Sequence, residues 1–226
     1  MNRYNIFYQV HKGLREMLYN TASLLQQTDF VNEEETNASF EQVDTVLDLF
    51  DKHANTEDHF IIPAIEKHAP SVATLFEEEH VLDHELSNKL RSLLSIFRHT
   101  KAIDEKEAVG GAVRIAFVEF MIFNLQHMGK EESKLNELLW EYFSDDELKN
   151  ITQQILQYQA PETLAQFTAW MFRGLSNNEI KDWLLEVKKN APEFIFCGML
   201  AMAERELPAY RWEKIQENIT EGAMLA

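Results

Sequence analysis

Cysteine is nearly missing from this chain of 226 residues: Cys197 is the single one. An intrachain disulfide and a cysteine-based zinc site are therefore excluded. Its setting, "FIFCGML", predicts a buried and inert thiol. Proline (5) and glycine (7) are scarce too, so tight turns are few, which favours helices joined by short loops over a sheet. Positive charge is in short supply: 21 Lys and Arg stand against 38 Asp and Glu, a formal net charge of −17. Such a surface repels phosphate backbones and predicts no nucleic-acid partner and no anionic membrane. No apolar run reaches the ~18 uninterrupted residues of a membrane helix. The opening "MNRYNIFYQVHKGL" has no long apolar core or cleavage site, so no secretory signal is expected and the predicted location is cytoplasmic.

What the chain does have is apolar residues at helical spacing. Phe7, Val10, Leu14, Met17, Leu18 and Leu24 predict a first amphipathic helix over 4–27. The acidic "TDFVNEEETN" reads as a loop. Ser39 with Gln42 fits a capping box for the second helix, whose start may be placed earlier. Pro63, inside that helix, should kink or loosen its final turns. A third helix starts near Pro70, which suits a first turn, and runs to His99. A charged linker over 100–107 leads to a fourth, ending near Tyr142. Within it, "AVRIAFVEFMIFNL" is interrupted only by Arg114, Glu119 and Asn124, so it should be covered on more than one side. Ser144 with Glu147 and Ser176 with Glu179 are capping-box patterns, and about four further helices are expected after residue 144. They would pack on the exposed flank of the fourth helix; a homodimer formed through the same apolar faces is the alternative to a monomer. The expected division is 1–143 for the bundle and 144–226 for a C-terminal helical extension.

The eight histidines point to chemistry through their spacing. Residues four apart on a helix differ by only about 40° and share a face. His53 and Glu57, His80 and His84, and His127 and Glu131 all have that spacing, on three predicted helices, and His11 lies mid-way along the remaining one. Buried without partners, these groups would cost several kcal/mol. If the faces converge, five imidazoles and two carboxylates meet, a set suited to two first-row metal ions. His59 should point to the surface; His68 and His99 fall near helix C-termini, where positive charge is welcome. No catalytic residue stands apart from these, and there is no glycine-rich phosphate loop.

The order His11, then "HANTEDHFIIP", "EEEHVLDHE" and "HMGKEE" resembles the hemerythrin or HHE cation-binding family over residues 4–142. "AWMFRGLSNNEIKDWLLEVKKNAPEF" is similar to a tail of some larger HHE proteins. The resemblance implies an all-α fold, an up-down-up-down four-helix bundle around a non-haem di-iron centre with an oxo or hydroxo bridge; by donor type, zinc or manganese would also suit. It implies His11 and His53 on one iron, His80, His84 and His127 on the other, and Glu57 and Glu131 bridging. The two-histidine iron would keep a position for dioxygen, peroxide or nitric oxide. Oxygen carriers of the family usually have Asp five residues after the last histidine; here Glu131 stands at four and Glu132 at five, the spacing of non-carrier members, so Glu131 is the expected bridge. The implied function is binding or sensing of oxygen, reactive oxygen or nitrogen species, or iron. A helical interaction module and a redox enzyme handling peroxide or nitric oxide are the alternatives, and turnover is left open.

Overall fold

The computed structural model describes residues 3–224, and side chains up to residue 219. Among the described residues the regular structure is helical, with no strand. The chain divides into two compact units: Met1–Tyr8 with Met17–Ala160, and Gln9–Glu16 with Pro161–Ala226.

The long helices of the first unit are α1 (Tyr8–Gln27, part of which counts with the second unit), α2 (Glu33–Phe60), α4 (Pro70–His99) and α5 (Ile103–Lys130), with the short α3 (Ile62–Glu66) between α2 and α4. Polar pairs set their directions. Asp44 meets Arg98, Asp51 meets Arg91 and Asp58 meets His80, so α2 and α4 are antiparallel. Glu79 meets His127, Asp83 meets Asn124 and Lys89 meets Glu119, so α4 and α5 are antiparallel as well. The chain therefore reverses twice along α2, α4 and α5.

Helix boundaries follow local chemistry. The α2 helix begins at Glu33, earlier than Ser39, because the Asn32 side chain accepts from the backbone N–H groups of Glu34 and Glu35. Ser39 is inside the helix and donates to the Thr36 carbonyl. Pro63 goes beyond a kink: α2 stops at Phe60 and α3 restarts with the proline in its first turn, where its missing N–H is harmless. After α5 the helix continues through a π-turn (Glu131–Leu135) into α6 (Asn136–Tyr142).

The apolar run in α5 departs from expectation. Val113, Ala116, Phe117 and Phe120 are buried, but Ile115, Val118 and Ile122 stay 62%, 38% and 49% exposed, left uncovered by the described residues. Ile103–Tyr142 contains an 18-residue window of mean hydropathy 1.6 and by length and composition alone would also qualify as a membrane span, contrary to the count of uninterrupted apolar residues. Core helices pass the same test, and here the inward face carries His127 and Glu131.

The division at residue 160 lies beyond the expected 143. Helix α7 (Asp145–Tyr158) belongs with the bundle because Leu148 is wholly buried in a cluster with Phe7, Ile61, Phe76 and Leu139, flanked by Ile151 and Ile155.

The second unit holds α8 (Pro161–Gly174), α9 (Asn177–Asn190), α10 (Glu193–Glu206) and α11 (Ala209–Met224), so five helices follow residue 144 among the described residues. Both capping boxes form, at Ser144/Glu147 and Ser176/Glu179. Phe172, Ile180, Leu184, Ala203, Leu207 and Ile215 make its core. Two glycines allow close approach: a Cβ on Gly13 would lie 2.8 Å from the Met171 nitrogen, and one on Gly174 would lie 2.3 Å from the Lys12 carbonyl oxygen. Cys197 is exposed, correcting the expectation of burial. Phe196, Leu200, Ala203 and Leu207 form the inward stripe of this segment, and position 197 falls beside it.

Candidate metal centre

Four of the predicted ligands converge inside the first unit. Glu57 on α2, His80 on α4, His127 on α5 and Glu131 at the start of the π-turn each offer a ligand atom, all within 4.8 Å of one another. All four are at most 4% exposed. His53, one helical turn before Glu57, is also buried and presents Nε2 to a Glu57 oxygen at 3.3 Å. His11 is wholly buried on the stretch of α1 that counts with the second unit.

Local geometry explains the convergence. His127 and Glu131 lie one turn apart, so Nε2 of the first is 3.1 Å from Oε1 of the second. Nε2 of His80 approaches Glu57 Oε2 at 3.4 Å from the neighbouring helix. The π-turn begins at Glu131, whose N–H reaches back to the carbonyls of both His127 and Met128. Such turns often occur at functional positions. Glu131 is 1% exposed whereas Glu132 is half-buried, as the four-residue spacing predicts.

His84 is not brought to this cluster. Its side chain is 42% exposed, and its Nδ1 lies 3.4 Å from Asp51. The inward stripe of α4 passes through Phe76, His80, Asp83 and Ser87, so Asp83 is buried where His84 is not. The buried Asp83 carboxylate accepts from Asn124 Nδ2 at 2.6 Å, and burial raises its pKa despite that bond and the nearby His127, His84 and His80.

Two carboxylates that sequence reasoning passed over stand behind the cluster. Nδ1 of His80 donates to Asp58 at 2.6 Å, and Nδ1 of His127 donates to Glu79 at 2.8 Å. Lys130 pairs with the other oxygen of Glu79. The available signal was adjacency: Asp58 follows Glu57, and Glu79 precedes His80.

The electrostatics are severe. Burial lowers the pKa of His80, but its hydrogen bonds to Asp58 and Glu57 and their charges overcome it and push it up to about 10. Burial likewise lowers that of His127, and Glu131, Glu57 and Glu79 push it up to about 9. Glu79 is held below the usual carboxylate range by His127 and Lys130 against the effect of burial. In both rings Nε2 is shut off from solvent and faces a carboxylate, Glu57 for His80 and Glu131 for His127. Imidazole nitrogens and carboxylate oxygens about 2.1 Å from one ion sit roughly 3 to 4.2 Å apart, close to the spacing seen. The donors fit a cation.

The Hemerythrin HHE cation binding domain model matches residues 2–139. The chain belongs to this hemerythrin HHE cation-binding family. It is similar to F-box/LRR-repeat protein 5 of Salmo salar and of Mus musculus, 23% identical to each over 176 residues, covering 76% of this chain and 24% of theirs. It is also similar to Zinc finger protein BRUTUS of Arabidopsis thaliana, 27% identical over 146 residues, 64% of this chain and 11% of that one. The chain thus spans about a quarter or less of the length of these relatives. No solved structure matches it.

Proposed function

We propose that this HHE protein holds two iron ions side by side and that its biological role is to register iron, oxygen or reactive oxygen or nitrogen species. Glu57 and Glu131 would bridge the ions. His11 and His53 would hold one, and His80 and His127 the other. The observation that carries the reading is that Glu57, His80, His127 and Glu131 each offer a buried ligand atom, all within 4.8 Å of one another, with His53 Nε2 3.3 Å from a Glu57 oxygen. Two shared carboxylates offset the repulsion between adjacent cations, and each ion receives two nitrogens. Imidazole and carboxylate donors also accept manganese or zinc, so affinity order alone does not select iron.

Bound there, iron supplies reversible redox chemistry and coordination positions for a small ligand such as dioxygen, peroxide or nitric oxide. The protein's own residues hold and orient the donors and keep bulk water away. Unloaded, the centre concentrates ionised groups in the core, so occupancy and fold stability are coupled. The relatives join the matching segment to much longer chains, and a metal-dependent module reporting to attached segments fits that arrangement.

The test is elemental analysis of protein produced with iron, followed by absorbance and thermal melting with and without oxygen. Two irons per chain, an oxygen-dependent near-ultraviolet band and a melting temperature that falls on chelation support the reading. Full helicity with no metal and no response to chelation would replace it with a helical interaction module. Sustained peroxide consumption lost in His11→Ala would replace it with a redox enzyme.

A further inference from the structure

We propose that Asp58 and Glu79 are positioning residues for the metal centre: each takes the Nδ1 proton of one inward histidine and thereby commits Nε2 of that ring to the cation. The inference rests on the metal-binding reading above.

An ionised carboxylate can only accept a hydrogen bond. With Asp58 at 2.6 Å and Glu79 at 2.8 Å, Nδ1 of His80 and Nδ1 of His127 must each carry a proton. In a neutral ring the lone pair then lies on Nε2, the atom facing Glu57 in one case and Glu131 in the other. Both Nε2 atoms are closed off from solvent, 3.4 Å from Glu57 Oε2 and 3.1 Å from Glu131 Oε1 respectively. A ligating imidazole characteristically donates its other N–H to a carboxylate, which fixes the tautomer and raises donor strength.

The device is built twice from the same helical geometry. Neighbouring residues on a helix point about 100° apart, so one can face the cation while the next reaches sideways. On α2, Glu57 faces in and Asp58 reaches His80 on α4. On α4, His80 faces in and Glu79 reaches His127 on α5. Each helix therefore aligns the ligand of the next one. Lys130, one turn from His127, engages Glu79's second oxygen and leaves the first directed at the ring.

The test uses the full chain loaded with zinc as a diamagnetic probe. Affinity is read by competition with a chromophoric chelator, ring protonation by long-range proton–nitrogen NMR, and metal-free melting separately. Wild-type protein should show protonated Nδ1 and metal-bound Nε2 on both His80 and His127. Asp58→Ala and Glu79→Ala should each weaken binding about 10- to 100-fold. The near-isosteric Asp58→Asn and Glu79→Gln should lie between, since an amide oxygen still accepts the proton without the charge. Glu79→Asp should recover part of the loss. Unchanged affinity in all variants, even with a lowered metal-free melting temperature, would make these contacts plain braces and overturn the proposal. So would Nδ1 coordination in the wild type. If wild-type protein binds no cation at all, the underlying metal reading fails first and takes this one with it.

Discussion

The imidazole rings of His80 and His127 meet edge to face, their centroids 5.0 Å apart and their planes at 68°. Two rings with raised pKa values therefore occupy adjoining space, held there by Glu57, Glu131, Asp58 and Glu79. Protons stand in for the cation's charge until a cation displaces them.

Opposite pH trends follow for the metal-free and loaded forms. With folded values of about 10 for His80 and about 9 for His127, against about 6.5 unfolded, protonation stabilises the metal-free fold. That contribution is complete below about pH 6.5 and is lost as pH rises through 9 to 10. A cation must displace those protons, so its affinity grows over the same span. Calorimetric melting from pH 6 to 10 should show a falling metal-free melting temperature and a widening gap to the loaded protein. Parallel curves would contradict the assignment.

Removal of single ligands should separate the inward set from the bystander. His127→Ala and Glu57→Gln should lower bound metal and abolish most of the melting increment produced by metal, since both belong to the buried donor cluster. His84→Ala, which loses a half-exposed ring beside Asp51, should leave metal content unaltered. Metal loss in His84→Ala equal to that in His127→Ala would restore a third histidine to the set.

Gly110 should resist enlargement for steric reasons alone. A Cβ there would fall 2.2 Å from the Phe30 ring, which is 7% exposed and packed against Phe40 and Phe97. Gly110→Ala should cost about 1–3 kcal/mol, seen as a lower denaturant midpoint with the same slope. Gly111, with open space around its Cβ position, is the control: Gly111→Ala should be neutral or mildly stabilising, since alanine is the better helix former.

Cys197 should react with a thiol reagent in the native protein at a rate near that of the unfolded chain, given its exposure. Protection that disappears only in denaturant would show that its face is covered in solution.

Much of the centre was legible because one helical turn separates each same-helix donor pair. His53 with Glu57 and His127 with Glu131 had to share faces once their helices formed. The choice between His84 and Asp83 was not legible. Both flank the inward direction set by His80, and the outcome turns on α5 presenting Asn124 to one and α2 presenting Asp51 to the other. Sequence periodicity carries no information about which side chain waits on the next helix. The earlier start of α2 has a local reason: Asn32 and Glu35 bond each other at the helix entrance, ahead of the Ser39/Gln42 pattern. The uncovered flank of α5 shows the limit of reading burial from hydrophobicity, since Ile115 and Ile122 are as apolar as Phe117 but face away from the bundle.

The two shared carboxylates are moored differently. Glu57 rides on the unbroken α2 rod, whereas Glu131 sits where the winding loosens from α to π. A swap between ions of unequal radius would be absorbed at that slack joint first, so one jaw of the clamp is fixed and the other gives.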